Sequence, residues 1–180
     1  MHSPCKRDYW GSNPLSDFMI TILNKNLFEV NADVHVNTVN CYGVMGKGIA
    51  LQFKEKYPEM FEQYKMYCSI DRLDPGELHL YETKTDNPKY VFNAATKDHW
   101  KDNSSYAWIH NCLVNIRHWC KEFDCKSVAM PYLGCGNGGL DKEIVEKMIR
   151  SAFEKEEIEV YICSYCLLYT SDAADEAYDV

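Results

Sequence analysis

Short apolar segments of strand length alternate along this chain with longer segments whose apolar residues recur every three or four positions. The strand-like segments span residues 18–23, 34–39, 77–82, 90–95, 127–132 and 158–163. The helix-like segments span residues 48–68, 108–123 and 140–153. This alternation predicts an α/β fold of three layers, in which helices cover both faces of a mixed sheet and ligands bind at the carboxyl ends of strands.

Two details of the helix-like segments sharpen this prediction. Pro58 removes a helix hydrogen bond and disfavours helical geometry at Tyr57, so we expect it to interrupt the first segment. In the last segment we expect five apolar side chains to face the sheet. They are Ile144, Val145, Met148, Ile149 and Phe153.

The composition bears on the number of domains and on the compartment. With 180 residues, of which 46% are hydrophobic, the chain suits one domain with one substantial core. Its apolar runs stop well short of the roughly 20 residues of a membrane-spanning helix, and residues 1–17 lack the apolar stretch of a secretory signal. We therefore expect a cytoplasmic protein without a membrane partner, whose nine cysteines are reduced.

The net charge of −8 is unusual for a protein that binds nucleic acid, because such proteins draw much of their affinity from lysine and arginine. Residues 164–180 contain four carboxylates and no lysine or arginine, so without them the net charge is −4. This segment does not continue the periodicity that precedes it. We expect one domain at residues 19–163, with non-native extensions at residues 1–18 and 164–180.

A glycine-rich turn within residues 37–50 joins the second predicted strand to the first predicted helix. Gly43, Gly46 and Gly48 let the backbone approach a ligand closely. A helix start attracts anions through its N–H groups and its dipole, so we expect a phosphate site here. Lys47 is followed by Gly48 instead of serine or threonine, which excludes a Walker-type loop. The alternative is a plain strand-to-helix turn.

A second glycine cluster, at residues 131–140, also joins a predicted strand to a predicted helix. Either cluster alone is weak evidence, because glycine turns are common. Two such loops at equivalent strand ends favour a clamp for one diphosphate, and hence a nucleotide-like ligand. Neither loop by itself supplies a base or a nucleophile.

The two loops resemble the ligand loops of DarG-type macrodomains, and the resemblance covers most of residues 19–163. It rests on the runs VNTVN (36–40), GVMGKGIA (43–50) and LGCGNGGL (133–140). That family removes ADP-ribose from thymidine in single-stranded DNA after modification by a DarT-type toxin, and related macrodomains act on ADP-ribosylated carboxylates. The resemblance implies a macrodomain fold, ADP-ribose as ligand, ADP-ribosylated single-stranded DNA as substrate and a DarT-type toxin as partner.

The resemblance also implies which residues bind ADP-ribose. We expect no cofactor, and no metal because the sequence has no cluster of carboxylates for magnesium. They are Asn26, Leu27, Asn37, Asn40, Gly43, Val44, Met45, Gly46, Lys47, Gly48, Ile49, Thr96, Pro131, Leu133, Gly134, Cys135, Gly136, Asn137, Gly138, Gly139 and Leu140.

Lys97 is the catalytic residue that the resemblance implies. It follows the run FNAAT at the end of a predicted strand, where the family has a lysine that acts on the ribose. A neutral amine can attack the anomeric carbon, or the aldehyde of the opened sugar to form an imine, and hydrolysis of the lysine–ribose adduct follows. Judged by its spacing alone, Lys97 is an ordinary exposed lysine at a strand end.

The residues after Lys97 are candidates for contacts with DNA. Trp100 offers a surface for base stacking, Lys101 a charge for a phosphate, and His99 a group that orients the leaving thymine. A surface loop with a helix cap at Ser104 or Ser105 accounts equally well for this segment.

Two positions depart from the family pattern. Asn26 stands where macrodomains usually have an aspartate that accepts a hydrogen bond from adenine, so we expect weaker adenine binding. Gly138 stands where the carboxylate-specific relative has an aspartate, which favours DNA as substrate. Two other functions are compatible with the same loops: a non-catalytic ADP-ribose reader, and a hydrolase of ADP-ribosylated protein or O-acetyl-ADP-ribose.

Overall fold

A computed structural model gives the structure of residues 19–164, which contain six strands and four α-helices. The strands are β1 (Ile20–Leu23), β2 (Val34–Val39), β3 (Leu78–Glu82), β4 (Tyr90–Ala95), β5 (Ser127–Pro131) and β6 (Glu159–Cys163). The helices are α1 (Gly48–Lys56), α2 (Pro58–Ser69), α3 (Tyr106–Glu122) and α4 (Lys142–Phe153), and a short 3-10 helix (Leu27–Glu29) follows β1. Phe18 and the predicted extensions, apart from Ser164, lie outside the described residues.

The six strands form one mixed sheet in the order β1-β6-β5-β2-β4-β3. Each neighbouring pair is parallel except β3 and β4, which run antiparallel. Parallel strands have their carboxyl ends at the same edge, so the turns after β1, β2, β4 and β5 all open on one side of the sheet. The predicted α/β fold with a mixed sheet is confirmed.

Helices cover both faces of this sheet. The core on one face is formed with α3 and α4, which contribute Ile109 and Ile149, and the core on the other face with α1 and α2, which contribute Phe53 and Tyr64. The predicted three layers are therefore confirmed. No helix between residues 19 and 164 has both the length and the apolar character that crossing a membrane requires.

The helix boundaries follow from local sequence signals. α1 ends at Lys56 and α2 begins at Pro58. A proline is tolerated at the first position of a helix, because the N–H group that it lacks would have no partner within the helix there. The predicted interruption is thus a new helix start. Ser105 caps α3 by accepting from the Ala107 N–H, and Asp141 caps α4, which therefore begins after Leu140.

One side chain predicted to face the sheet from α4 does not do so. Ile144 is 45% exposed, whereas Val145, Ile149 and Phe153 are buried. Those three residues recur at four-residue spacing and form one stripe, while Ile144 lies about 100° away from Val145 around the helix. The prediction for Ile144 was wrong because it included a position beside the buried stripe of α4 in that stripe.

A row of buried polar side chains crosses the sheet on the face covered by α1 and α2. Asn37 Nδ2 donates to Asn93 Oδ1 at 2.9 Å, and Asn93 Nδ2 donates to His79 Nδ1 at 3.0 Å. The three residues lie directly opposite one another on β2, β4 and β3. Buried polar groups are costly unless they are hydrogen-bonded, and these side chains bond to one another, with Asn37 Oδ1 left as an acceptor without a partner among the described residues.

Acid is expected to destabilise this fold through two buried histidines. Burial lowers the pKa of His35 and of His79 from 6.5 to about 4, so both imidazoles are neutral in the folded chain at neutral pH. The unfolded chain takes up these protons at higher pH. The free energy of unfolding should therefore fall as the pH drops from 6.5 towards 4, by about 1.4 kcal/mol per pH unit for each histidine.

Urea unfolding of matched variants between about pH 7 and pH 5 isolates this effect from that of the carboxylates. His79→Gln is expected to make the fall shallower, and His118→Gln, at an exposed position of α3, to leave it unchanged. Equal pH dependence in the wild type and in His79→Gln would contradict the prediction.

Candidate active site

Three loops meet at the edge of the sheet where β5, β2 and β4 end. β2 is the middle strand and runs parallel to both neighbours. The first loop (residues 40–47) follows β2, the second loop (residues 132–141) follows β5, and the lysine segment (residues 96–105) follows β4. The two loops that the sequence assigns to one ligand therefore lie side by side.

The first loop is held in shape by Asn40. Its Oδ1 accepts from the backbone N–H groups of Tyr42 at 2.9 Å and Val44 at 3.4 Å, and its Nδ2 donates to the Val44 carbonyl at 2.8 Å. The buried Tyr64 hydroxyl donates to the Asn40 carbonyl at 2.7 Å. Gly43 turns at a φ of +78°, which favours glycine. The Asn40 side chain thus stabilises the conformation of the first loop by bonding to its backbone.

The first loop leads into the start of α1. Lys47 stands at the cap position, and its ammonium can donate hydrogen bonds but cannot accept them from the N–H groups of the first turn. The N–H groups and the dipole of this nine-residue helix therefore favour an anion at its start. The Asn137 Nδ2 of the second loop lies 4.0 Å from the place that a Cβ of Gly48 would take. The two loops thus approach the same helix start.

The second loop is tightly packed on one side and open on the other. The Leu140 N–H donates to the Gly134 carbonyl at 3.0 Å. A Cβ added at Gly138 would lie 2.3 Å from the Gly134 carbonyl oxygen and 2.3 Å from Ser104 Oγ, distances that force a shift. A Cβ added at Gly136 would meet no atom of residues 19–164 within 4 Å. Packing therefore requires glycine at position 138, and Gly136 borders open space.

Lys97 lies between the two loops. Its Nζ donates to the Asn137 carbonyl at 2.5 Å and to the Trp100 carbonyl at 3.5 Å. The Lys97 carbonyl accepts from the Cys41 thiol of the first loop at 3.4 Å. Burial lowers the pKa of the Lys97 amine, against a smaller opposing effect of Asp102. A larger share of this amine is therefore neutral than in a fully exposed lysine.

Two thiols near Lys97 are poor competitors as nucleophiles. Burial raises the pKa of Cys41 to about 12, with Asp98 adding to the rise, and burial raises the pKa of Cys135 to about 11. Both stay protonated at neutral pH, and the thiolate is the reactive form. Of these three groups, Lys97 alone has a pKa shifted towards its nucleophilic form.

Comparison with known proteins shows the family to which this chain belongs. The family model described as Macro domain matches residues 36–149. This chain belongs to the Macro domain family. A curated relative of this macrodomain from Mycobacterium tuberculosis, named DNA ADP-ribosyl glycohydrolase, is 45% identical over 138 residues, which are 76% of this chain and 39% of the relative. The chain spans about two fifths of the length of the curated relatives that it matches first.

Solved structures show the same fold. The macrodomain of Mycobacterium tuberculosis DarG superimposes with a TM-score of 0.79 at 42% identity, over 82% of this chain and 98% of that one. Thermosipho africanus DarTG in complex with ADP-ribose superimposes with a TM-score of 0.75 at 29% identity, over 80% of this chain and 41% of that one. The predicted macrodomain fold and the predicted resemblance to DarG-type macrodomains are confirmed.

Several residues that the sequence assigns to ADP-ribose are buried in the structure of this macrodomain. They are Leu27, Asn37, Asn40, Met45, Thr96 and Leu133. Most of the other residues of this set are partly or fully exposed, and these include Val44, Gly46, Lys47, Gly48, Ile49, Pro131, Cys135, Gly136, Asn137, Gly139 and Leu140.

Asn26 lies after β1, on the same side of the sheet as the loops. Its Oδ1 accepts from the Phe28 N–H at 3.0 Å and so caps the short 3-10 helix. The oxygen assigned to adenine is thus already engaged in one hydrogen bond. This geometry supports the expectation that adenine binds more weakly here than opposite an aspartate.

The predicted DNA-contact residues His99, Trp100 and Lys101 lie together beside Lys97. His99 stacks on Trp100 with 5.3 Å between ring centroids, and Lys101 Nζ lies 4.8 Å from the Trp100 ring. The sequence reasoning missed Tyr42, whose ring lies 4.5 Å from that of His99. The sequence did offer one signal for Tyr42, because a large aromatic residue stands out inside a glycine-rich loop.

Proposed function

We propose that this macrodomain removes ADP-ribose from thymidine in single-stranded DNA, with Lys97 as the nucleophile. The observation that carries the proposal is the position of the Lys97 amine between the two loops, with a pKa lowered by burial. The relative from Mycobacterium tuberculosis is named for a glycohydrolase activity on DNA, and the Thermosipho structure is a complex with ADP-ribose. Both names support ADP-ribose on DNA as the substrate.

Binding places the diphosphate at the start of α1. The backbone N–H groups of the first turn meet its charge, and the open side of the second loop near Gly136 closes on it. The ribose that carries thymine then lies towards Lys97. In this arrangement both loops fix the ligand before any bond changes, which converts the reaction into an effectively unimolecular one.

The chemistry begins from the neutral Lys97 amine. The Asn137 carbonyl accepts one N–H and so orients the amine, whose lone pair is then directed to the anomeric carbon. A bond forms from Nζ to this carbon while the bond to the thymine nitrogen breaks. The Nζ of the adduct is then a secondary ammonium, and the proton that it gives up neutralises the thymine nitrogen. Water hydrolyses the lysine–ribose adduct, which releases ADP-ribose and restores the amine.

The packing around Gly138 supports DNA over a protein carboxylate as substrate. The family pattern of the carboxylate-specific relative has an aspartate there, but even a Cβ at this position would collide with the Gly134 carbonyl and with Ser104. A DarT-type toxin is the partner that would create this substrate. The cytoplasm is the proposed compartment, and the free cysteines of the described residues suit a reducing environment.

A direct test offers the protein two substrates side by side. One is a single-stranded oligonucleotide with ADP-ribosylated thymidine, and the other is a protein ADP-ribosylated on glutamate. We expect release of ADP-ribose from the oligonucleotide at a rate at least about a hundredfold higher, because only there does the leaving group suit the site. Release from the protein alone would contradict the proposal, and tight binding without release would identify a reader.

A further inference from the structure

Three aromatic rings form an exposed row beside the reactive amine. The Tyr42 ring of the first loop meets the His99 ring edge-on at 4.5 Å, and the His99 ring stacks on that of Trp100 at 5.3 Å with 26° between their planes. The Trp100 carbonyl lies 3.5 Å from Lys97 Nζ. The row therefore begins in a ligand loop and ends next to the nucleophile.

The ends of this aromatic row are open to solvent. Tyr42 is 60% exposed and Trp100 is 40% exposed. The Tyr42 hydroxyl makes no hydrogen bond with the described residues, and the bond that ties this residue into the loop runs from its backbone N–H to Asn40. The Tyr42 side chain therefore contributes no hydrogen bond to the shape of the first loop. Exposed aromatic rings offer flat surfaces on which the bases of a single strand can stack.

A lysine lies at each end of the aromatic row. Lys101 Nζ lies 4.8 Å from the Trp100 ring. At the other end, the Lys65 Cγ lies 3.4 Å from the place of a Cβ on Gly43, the neighbour of Tyr42, and Lys65 is exposed. Aromatic rings between cations suit a single strand of nucleic acid, whose bases stack while its phosphates meet the charges.

Four carboxylates define where phosphates are disfavoured. Asp102 raises the pKa of the Lys97 amine, and Asp98, Asp74 and Glu77 add to the rise in the pKa of the Cys41 thiol. The negative charge near the aromatic row is therefore felt at Lys97 and at Cys41. The phosphates of a bound strand are expected near the two lysines, Lys65 and Lys101, whose charges offset that of the carboxylates.

We infer that Tyr42, His99 and Trp100, with Lys65 and Lys101 at their ends, bind the nucleotides that flank the ADP-ribosylated thymidine in single-stranded DNA. This inference rests on the proposed function. It adds Tyr42 and Lys65 as residues that discriminate a DNA strand from an isolated modified nucleotide. Stacking tolerates every base, so the row selects a strand without selecting a sequence.

Turnover of a long and a short substrate tests the inference. The long substrate is an oligonucleotide with ADP-ribosylated thymidine in its centre, and the short one is ADP-ribosylated thymidine monophosphate. Tyr42→Ala is expected to lower kcat/KM on the oligonucleotide roughly five- to a hundredfold and to leave kcat/KM on the monophosphate within about twofold. Tyr42→Phe should restore turnover of the oligonucleotide, and Val114→Ala, on exposed α3 surface, should change neither.

The other outcomes overturn the inference in distinguishable ways. An equal loss on both substrates would mean that Tyr42 acts through the shape of the first loop. Unchanged turnover of the oligonucleotide by Tyr42→Ala would show that no base stacks on this ring, and the proposed function would stand. A wild-type protein that releases ADP-ribose from neither substrate would overturn the proposed function, and the inference with it.

Discussion

Lys97→Ala should lower kcat for release of ADP-ribose from thymidine-modified DNA roughly a thousandfold or more, because it removes the group that forms the covalent adduct. Binding of free ADP-ribose should stay within about threefold, since the Lys97 amine is held by a protein carbonyl and the loops hold the ligand. Single-turnover release from labelled oligonucleotide measures the first effect, and calorimetry measures the second. Persistent turnover by Lys97→Ala would contradict the mechanism.

Three controls separate the role of the Lys97 lone pair from that of its charge. Lys97→Arg should be as inactive as Lys97→Ala, because a guanidinium stays protonated. Lys126→Ala, before β5 at the opposite edge of the sheet, should keep wild-type kcat. The wild-type rate should rise with pH up to the pKa of Lys97, and Asp102→Asn should move this rise to lower pH, since Asp102 raises that pKa.

Gly138→Ala is expected to disrupt the second loop. The new Cβ would lie 2.3 Å from the Gly134 carbonyl oxygen and from Ser104 Oγ, so the backbone must move. We expect a loss of about 1–3 kcal/mol in the free energy of unfolding and a loss of ADP-ribose affinity of about tenfold or more. The Asn137 carbonyl that holds Lys97 moves with this backbone. Urea unfolding and calorimetry measure both effects.

Gly136→Ala is the matched control for stability, two residues away in the same loop. Its Cβ would meet no atom of residues 19–164 within 4 Å, so the free energy of unfolding should change by less than about 0.5 kcal/mol. If Gly138→Ala unfolds like Gly136→Ala and binds ADP-ribose like the wild type, the packing argument for position 138 fails.

The sequence was sufficient for the layers of this fold and for the side on which the site lies. Alternating apolar periods predicted each strand that the structure describes in residues 19–164. The glycine turns after β2 and β5 could be paired because parallel strands end at one edge. The exact ends of the helices were harder to predict than their existence. Pro58 was correctly interpreted as an interruption, whereas the Asp141 cap and the outward position of Ile144 depend on where the first turn begins.

The contacts between loops could not be predicted from the sequence. The bond from Lys97 to the Asn137 carbonyl joins positions 40 residues apart, and local spacing carries no information about it. The clash at Gly138 involves Ser104, which the sequence suggested only as a helix cap. Asn93 gave a visible signal, because asparagine is uncommon inside strands, but its partners lie on two other strands.

The buried row of Asn37, Asn93 and His79 has a consequence for the register of the strands. A slip of β4 by one residue would turn Asn93 towards the apolar core that contains Ile109 of α3. A slip by two residues would separate the three polar partners. The latter slip would also carry Lys97 about 7 Å along the strand direction, out of reach of the Asn137 carbonyl. The same hydrogen bonds that align the centre of the sheet therefore position its nucleophile.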